Sequence, residues 1–209
     1  MWPTNDETGK LLDAVQAGDD SARDRLLARY REPLRRAVGL RLDPALARRI
    51  DASDIVQDVL IEAHQRLADY LRNPAMPFPL WIRHLAQDRI IDTHRRHRVA
   101  QRRSIDREQA IDRPAWADDS SANLVAQLID PEQTPSSAAI TEELRRKLAA
   151  AIDLLNDADR DIILMRHEEQ LSNQEVAVVY QLTEAAASMR YLRALRKLRT
   201  VLLPEPPKE

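Results

Sequence analysis

Cysteine is absent from this chain of 209 residues, and glycine occurs only 3 times. The lack of cysteine excludes disulfides and thiolate metal sites, and it fits a reducing compartment. Proline is also absent from two long stretches, residues 80–113 and 136–203. Because glycine and proline are the residues that most often interrupt helices, their scarcity predicts an all-α protein.

The chain also lacks a long apolar run. Asp6 and Glu7 stand near the N-terminus, where a signal peptide is basic and then apolar. No segment approaches the roughly 20 apolar residues that a membrane-spanning helix needs. We therefore expect a cytoplasmic protein without membrane insertion.

The residue sets of common catalytic sites are missing as well. Nothing in the sequence assembles a nucleophile, a base and an orienting group, and there is no glycine-rich phosphate loop. His94 and His97 are three residues apart, but they lie among arginines without an acidic or cysteine partner. We predict that the chain is not an enzyme and binds no metal and no cofactor.

The charges are segregated although the net charge is only −2. Residues 89–103 contain six Arg and one acid, and residues 183–203 contain five basic residues and one acid. Residues 104–138 reverse the balance, with seven acids and two Arg. We therefore expect nucleic acid to bind at the two basic segments and not at the acidic segment between them.

The N-terminal part has apolar residues at helical spacing. Residues 8–39 are predicted to form two helices broken at Gly18 and Asp19, and a further helix runs from an N-cap at Asp51 or Ser53 to about Leu71. Residues 73–79 are predicted not to be helical, because they contain three prolines. A helix follows from about Leu80. Its inward-facing positions are predicted to be Trp81, Ile82, Leu85, Ile90 and Ile91.

The acidic segment has weak periodicity and three prolines. It is predicted to be a linker with short helical pieces near residues 105–111 and 124–128. Amphipathic helices are predicted beyond it at residues 141–155 and 159–167. The chain is therefore expected to consist of a helical domain at 8–103, an acidic linker at 104–138 and a second helical domain at 139–203.

Residues 171–199 have the pattern of two capped helices joined by a tight turn. Ser172 with Glu175 forms a capping box, and Thr183 caps a second helix. One apolar stripe runs along that second helix. It consists of Ala187, Tyr191, Ala194, Leu198 and Leu202. This pattern predicts a helix-turn-helix whose second helix enters the major groove.

The side chains off the stripe suit DNA. Arg binds guanine with two hydrogen bonds, and small apolar groups contact a thymine methyl. The predicted DNA contacts are Ser172, Thr183, Ala185, Ala186, Ser188, Met189, Arg190, Arg193, Arg196 and Lys197. A solvated amphipathic helix in an ordinary bundle is the alternative.

The other basic segment suits DNA phosphates, which make affinity depend on salt. Its candidates are Arg89, Arg95, Arg96, Arg98, Arg102 and Arg103. Met76, Phe78 and Trp81 are candidates for a wall against which an unpaired base packs. Core packing is the favoured interpretation of Trp81, and a solvated face is the alternative for the arginines.

Three segments in this order resemble a sigma-70 family transcription initiation factor of the small extracytoplasmic-function (ECF) type. DIVQDVLIEA at 54–63 is similar to region 2.2, FPLWIRHLAQDRIIDTHRR at 78–96 to regions 2.3 and 2.4, and residues 171–199 to region 4.2. The resemblance covers residues 8–203. It implies a protein that directs core RNA polymerase to specific promoters and assists promoter opening.

The resemblance also implies partners and contacts. Core polymerase binding is assigned to Asp54, Ile55, Gln57, Asp58, Leu60 and Ala63. Contacts with the minus-ten element are assigned to Asn73, Met76, Phe78, Trp81, Asp88, Arg89, Arg95, Arg96, Arg98, Arg102 and Arg103. The residues named for the helix-turn-helix would contact the minus-thirty-five element, and the acidic linker would thread through polymerase. Promoter DNA is expected to be bound both double-stranded and melted, and an anti-sigma partner is left open.

Several positions depart from the family pattern. Leu60 stands where the family commonly has Phe, and Asp88 stands where it has Asn. Ala185, Ala186 and Met189 replace polar or Gly positions, so we expect few hydrogen bonds to bases. Two other functions are alternatives: a stand-alone helix-turn-helix regulator, and a helical adaptor whose arginines bind acidic proteins.

Overall fold

The computed structural model describes residues 2–42, 44–101, 124, 128 and 138–202. Within these ranges every regular element is a helix, so the all-α prediction is confirmed. The chain divides into two compact units, Met1–Pro114 and Ala115–Glu209. None of the described helices has the length and apolar character that a bilayer crossing requires.

The first unit contains four long helices close to the predicted positions and one short helix of four residues that was not predicted. They are α1 (Asn5–Gln16), α2 (Asp20–Arg41), α3 (Pro44–Ala47), α4 (Ala52–Arg72) and α5 (Phe78–Gln101). Gly18 separates the first two with a φ of 92°, which favours glycine. Asp19 then caps α2 by accepting a hydrogen bond from the Ala22 N–H. The helical structure begins at Asn5, before the predicted start at residue 8.

The core of this unit is built around the start of α5. The Phe78 ring lies 5.2 Å from the Tyr30 ring of α2 and 5.5 Å from the Tyr70 ring of α4. Trp81 stacks on Tyr70 with the ring centroids 4.7 Å apart. These four aromatic side chains are all buried, so they fix α5 against α2 and α4.

Two predictions for α5 were wrong. Phe78 and Pro79, predicted to be outside the helix, form its first turn, where a proline needs no intrahelical hydrogen bond. Ile91, predicted to face inward, is 51% exposed, whereas Ile90 is 5% exposed. Adjacent residues of a helix point about 100° apart, and at this point of α5 that step takes Ile91 from the core side to the solvent side.

The second unit contains α6 (Ala138–Asp153), α7 (Asp157–His167), α8 (Asn173–Tyr180) and α9 (Glu184–Leu202). Helix α9 packs against the other three. Leu124 and Leu128 in the predicted linker are helical and buried, which agrees with the short helical piece predicted there. Of the predicted linker, 104–138, only these leucines and Ala138, the first residue of α6, lie within the described residues.

The helix-turn-helix has the predicted caps. The Ser172 hydroxyl accepts from the Glu175 N–H, and the Glu175 carboxylate accepts from the Ser172 N–H, at 3.1 and 2.8 Å. The Thr183 hydroxyl accepts from the Ala186 N–H at 3.2 Å. Between them Gln181 ends α8 with a φ of 53°. These local contacts hold α8 and α9 at a fixed turn.

Candidate nucleic-acid and protein interfaces

The apolar stripe of α9 is fully packed within its unit. Its members are buried as predicted: Ala187, Tyr191, Ala194, Leu198 and Leu202. The opposite side carries what we call the exposed face of α9, which consists of Ala185, Ala186, Met189 and Leu192. Arg193, Arg196 and Arg199 are exposed farther along the helix.

Polar contacts add to this packing at three points of α9. The Tyr191 hydroxyl lies 3.0 Å from His167 Nε2 on α7. The Arg190 guanidinium lies 5.4 Å from the centre of the Tyr180 ring at the end of α8. Lys197 forms an ion pair with Asp159 on α7. These contacts therefore restrict both the sliding of α9 along its axis and its rotation about that axis.

His167, on α7, is a buried titratable residue of the second unit. The side chain is 8% exposed. Burial, and then the nearby positive charge of Arg166, lower its pKa to about 4. The imidazole is therefore neutral at pH 7.

The predicted minus-thirty-five contacts divide into two groups. Thr183, Ala185, Ala186, Met189, Arg193, Arg196 and Ser172 are exposed. Ser188 and Arg190 are half-buried, and Lys197 is exposed but pairs with Asp159. The readily accessible part of the helix near its N-terminus is therefore mostly apolar.

Two of the arginines described in α5, Arg89 and Arg95, pair with carboxylates. Arg89 reaches across to α4, where its guanidinium lies 3.2 Å from Glu62 and 3.8 Å from Asp58. Arg95 pairs with Asp92 at 3.2 Å, and Arg96 is exposed. The side chain of Arg98, and Arg102 and Arg103 as a whole, lie outside the described residues.

His94 is buried, and the described residues contain no group of three or more metal-binding side chains. Asp88 is exposed, and its carboxylate lies 3.4 Å from His84 Nε2. The side chain of His97 lies outside the described part of the chain.

The segment before α5 exposes less aromatic surface than expected. Asn73 is exposed, and Met76 is half-buried with its carbonyl accepting from the Tyr70 hydroxyl at 3.0 Å. Phe78 and Trp81, at 1% and 8% exposure, belong to the core. The core interpretation of Trp81 is confirmed, because its ring stacks on Tyr70.

Helix α4 presents polar side chains on its outer face. Asp54, Gln57 and Asp58 are exposed. The other residues assigned to polymerase binding are buried: Ile55, Leu60 and Ala63. Their side chains pack in the core of the first unit. Of the three, only Leu60 also lines a groove at the surface.

That groove, of about 630 Å³, lies between α2 and α4. It is lined by Asp24, Leu27, Ala28, Arg31, Gln57, Leu60, Ile61, His64 and Gln65. The sequence did not predict that residues of α2 form one side of this groove. The packing of one helix against another cannot be read from the residues of either helix alone. Ile61 was the available signal, since it is an apolar residue on the polar face of α4 and is 48% exposed.

Two family models match the chain. The model described as Sigma-70 region 2 matches residues 27–100, and the model described as Sigma-70, region 4 matches residues 151–200. The first match contains α4 and nearly all of α5, and the second contains α7, α8 and most of α9.

Curated relatives are sigma factors. The probable RNA polymerase sigma factor RfaY of Xanthomonas campestris is 31% identical over 161 residues, which are 76% of this chain. The aligned region spans 36% of RfaY. The ECF RNA polymerase sigma-E factor of Escherichia coli K12 is 25% identical, and the alignment covers 88% of both chains.

Solved structures have the same fold. CnrH, in complex with the cytosolic domain of CnrY, has a TM-score of 0.59 at 21% identity, with 97% of this chain and 100% of that chain covered. RpoE of Bartonella quintana, in complex with the anti-sigma factor NepR, has a TM-score of 0.58 at 16% identity, with 88% and 98% covered. With region 2 and region 4 both matched, this chain belongs to the sigma-70 family and is an RNA polymerase sigma factor of the ECF group.

Proposed function

We propose that this sigma factor uses three separate surfaces in transcription initiation. Helix α4 binds core RNA polymerase, α5 with the segment before it contacts the minus-ten element, and the helix-turn-helix contacts the minus-thirty-five element. The observation that carries the proposal is the division of α9 into a buried apolar stripe and an exposed face followed by exposed arginines. A recognition helix needs this division, because one side must be held while the other enters the groove.

The polymerase surface is the outer face of α4 together with the groove beside it. Asp54, Gln57 and Asp58 lie three and four residues apart, so they share one exposed face. Carboxylate and amide groups in this arrangement suit a basic or polar partner. Leu60 in the groove wall supplies apolar surface next to them.

The minus-ten surface combines Asn73 with the exposed positions of α5. Arg95 and Arg96 are available to phosphate oxygens, because an exposed ion pair such as Arg95 with Asp92 is weak. Arg89 belongs to the same surface, where its guanidinium also pairs with Glu62 and Asp58 of α4. Arg98, Arg102 and Arg103 extend the same basic series in the sequence. The acidic segment that follows is suited to a cationic channel of polymerase, where nucleic acid later passes.

We further propose that the protein works in the cytoplasm, where polymerase and promoter DNA are found. An anti-sigma protein is a candidate partner, since the related RpoE is bound to an anti-sigma factor. The domain boundaries proposed from the sequence, 8–103, 104–138 and 139–203, are the fragments to use in mapping these contacts.

The decisive experiment measures the affinity of core polymerase for the double variant Asp54→Ala, Gln57→Ala. We expect it to fall roughly tenfold or more, because two exposed polar contacts are lost. The binding of promoter DNA by the free variant should be unchanged. Asp13→Ala with Gln16→Ala is a matched control, because it removes an exposed Asp and Gln at the same spacing on α1. Unchanged polymerase affinity in the α4 variant would refute the assigned surface.

A second measurement separates base contacts from phosphate contacts. Arg190→Ala should relax sequence preference at the minus-thirty-five element, whereas Arg196→Ala should weaken binding to all sequences alike. An equal loss across all sequences for Arg190→Ala would mean that this residue contacts phosphate. Both are read from promoter sequences selected by in vitro transcription.

A further inference from the structure

We propose that the exposed face of α9 recognises thymine methyl groups, with Met189 as the side chain that determines this specificity. The inference rests on the proposed contact between α9 and the minus-thirty-five element. It adds the chemical group that is read and the residue that reads it.

The first step concerns the surface that α9 offers. Met189 is 50% exposed and Leu192 is 43% exposed. Ala185 precedes Met189 by four residues and Leu192 follows it by three, so the three side chains form one apolar strip on the helix surface. Large apolar side chains that remain exposed at a candidate interface indicate contact with an apolar partner group.

The second step concerns the polar side chains nearby. Arg190 is half-buried, with its guanidinium over the Tyr180 ring. Ser188 is half-buried as well. Arg193 is exposed and follows Met189 by four residues, with its Nε donating to the Met189 carbonyl at 3.4 Å, so it borders the strip toward the C-terminal half of the helix, where Arg196 is also exposed. Arg193 and Arg196 are therefore available to phosphates beyond the C-terminal end of the apolar strip, while the strip faces the bases.

The third step concerns DNA. The edges of all base pairs in the major groove carry hydrogen-bond donors and acceptors, and the thymine 5-methyl is the apolar group among them. A methionine side chain is flexible and polarizable, so it adapts to a methyl at slightly different positions. Burying one methyl-sized group corresponds to about a fourfold gain in affinity.

The test uses the holoenzyme assembled from the full chain and core polymerase. A minus-thirty-five element is first selected from randomised DNA. Each thymine of that element is then replaced by deoxyuridine, which lacks the methyl and keeps every hydrogen-bonding group. We expect at least one replacement to lower the affinity about fourfold.

Variants of α9 identify the residue. Met189→Ala should make thymine and deoxyuridine bind equally at that position, and Met189→Leu should keep the difference. Val201→Ala is the matched control, because Val201 is 44% exposed on the same helix but near its C-terminal end. The control should keep the full preference for thymine.

The possible failures are distinguishable. Equal affinity for deoxyuridine and thymine at every position of the wild-type element would overturn methyl recognition, whatever the variants do. A preference for thymine that persists in Met189→Ala would overturn the role of Met189. A holoenzyme that selects no minus-thirty-five element at all would refute the proposed contact of α9, and with it this inference.

Discussion

The stability of the second unit should depend on pH through His167. This side chain is 8% exposed, its Nε2 lies 3.0 Å from the Tyr191 hydroxyl, and its pKa is lowered to about 4. Burial is the main cause, because it disfavours the charged imidazolium, and the positive charge of Arg166 acts in the same direction. The perturbation to apply is a change from pH 7 to pH 5.

The sign follows from comparing the folded and unfolded chains. In the unfolded chain His167 has the ordinary pKa of about 6.5. Between about pH 6.5 and pH 4 the unfolded state therefore binds a proton that the folded state does not. The stabilisation is complete above the unfolded pKa and is lost as the pH falls toward the folded pKa. Linkage with these pKa values gives a loss of about 2 kcal/mol between pH 7 and pH 5.

The assay is hydrogen exchange of the α9 amides in the full chain, with rates corrected for the intrinsic effect of pH. The free energy of opening should fall by about 2 kcal/mol at pH 5 in the wild type. In His167→Gln this part of the pH dependence should disappear, because glutamine does not titrate. His64→Gln is the control, since His64 is exposed on α4, and it should behave as the wild type does.

NMR titration of the His167 ring gives an independent check. A pKa near 6.5 in the folded protein would refute the reasoning, because no linkage would remain. The same pH dependence in His167→Gln and in the wild type would refute it as well.

Two further variants test local contacts. Tyr30→Phe removes the buried hydrogen bond to Thr8 Oγ1 at 2.8 Å, and urea unfolding should show a loss of about 1 kcal/mol; a loss of only a few tenths would show that the contact contributes little. Ser172→Ala removes the capping box of α8 and should lower the opening free energy of that helix by about 1 kcal/mol in hydrogen exchange. Ser172→Asp keeps a capping oxygen, so equal exchange in the two variants would contradict the capping explanation.

The features that the sequence predicted well are those that depend on near neighbours in the chain. Ser172 and Thr183 were identified as caps because a capping hydrogen bond spans three residues. The apolar stripe of α9 was likewise visible from its spacing. Neither the caps nor the apolar spacing distinguishes a sigma factor from a stand-alone regulator. The family matches make that distinction and assign the helix-turn-helix to a sigma factor.

The features that were missed depend on contacts between distant segments. The pairing of Arg89 with Glu62 joins α5 to α4, and the pairing of Lys197 with Asp159 joins α9 to α7. The basic segments of the sequence do not reveal either ion pair, because the acidic partners lie in other parts of the chain. Phe78 was assigned to a surface role for the same reason, since its packing against Tyr30 brings together residues far apart in sequence.

The contacts that hold α9 in place also affect the expected kinetics of the proposed promoter contact. Tyr180 packs under Arg190 and donates its hydroxyl hydrogen to Asp161, while His167 holds Tyr191. A helix that is already ordered before DNA arrives loses little conformational entropy on binding. Good and poor minus-thirty-five elements would then be approached at similar rates, and the difference between them would be the lifetime of the complex.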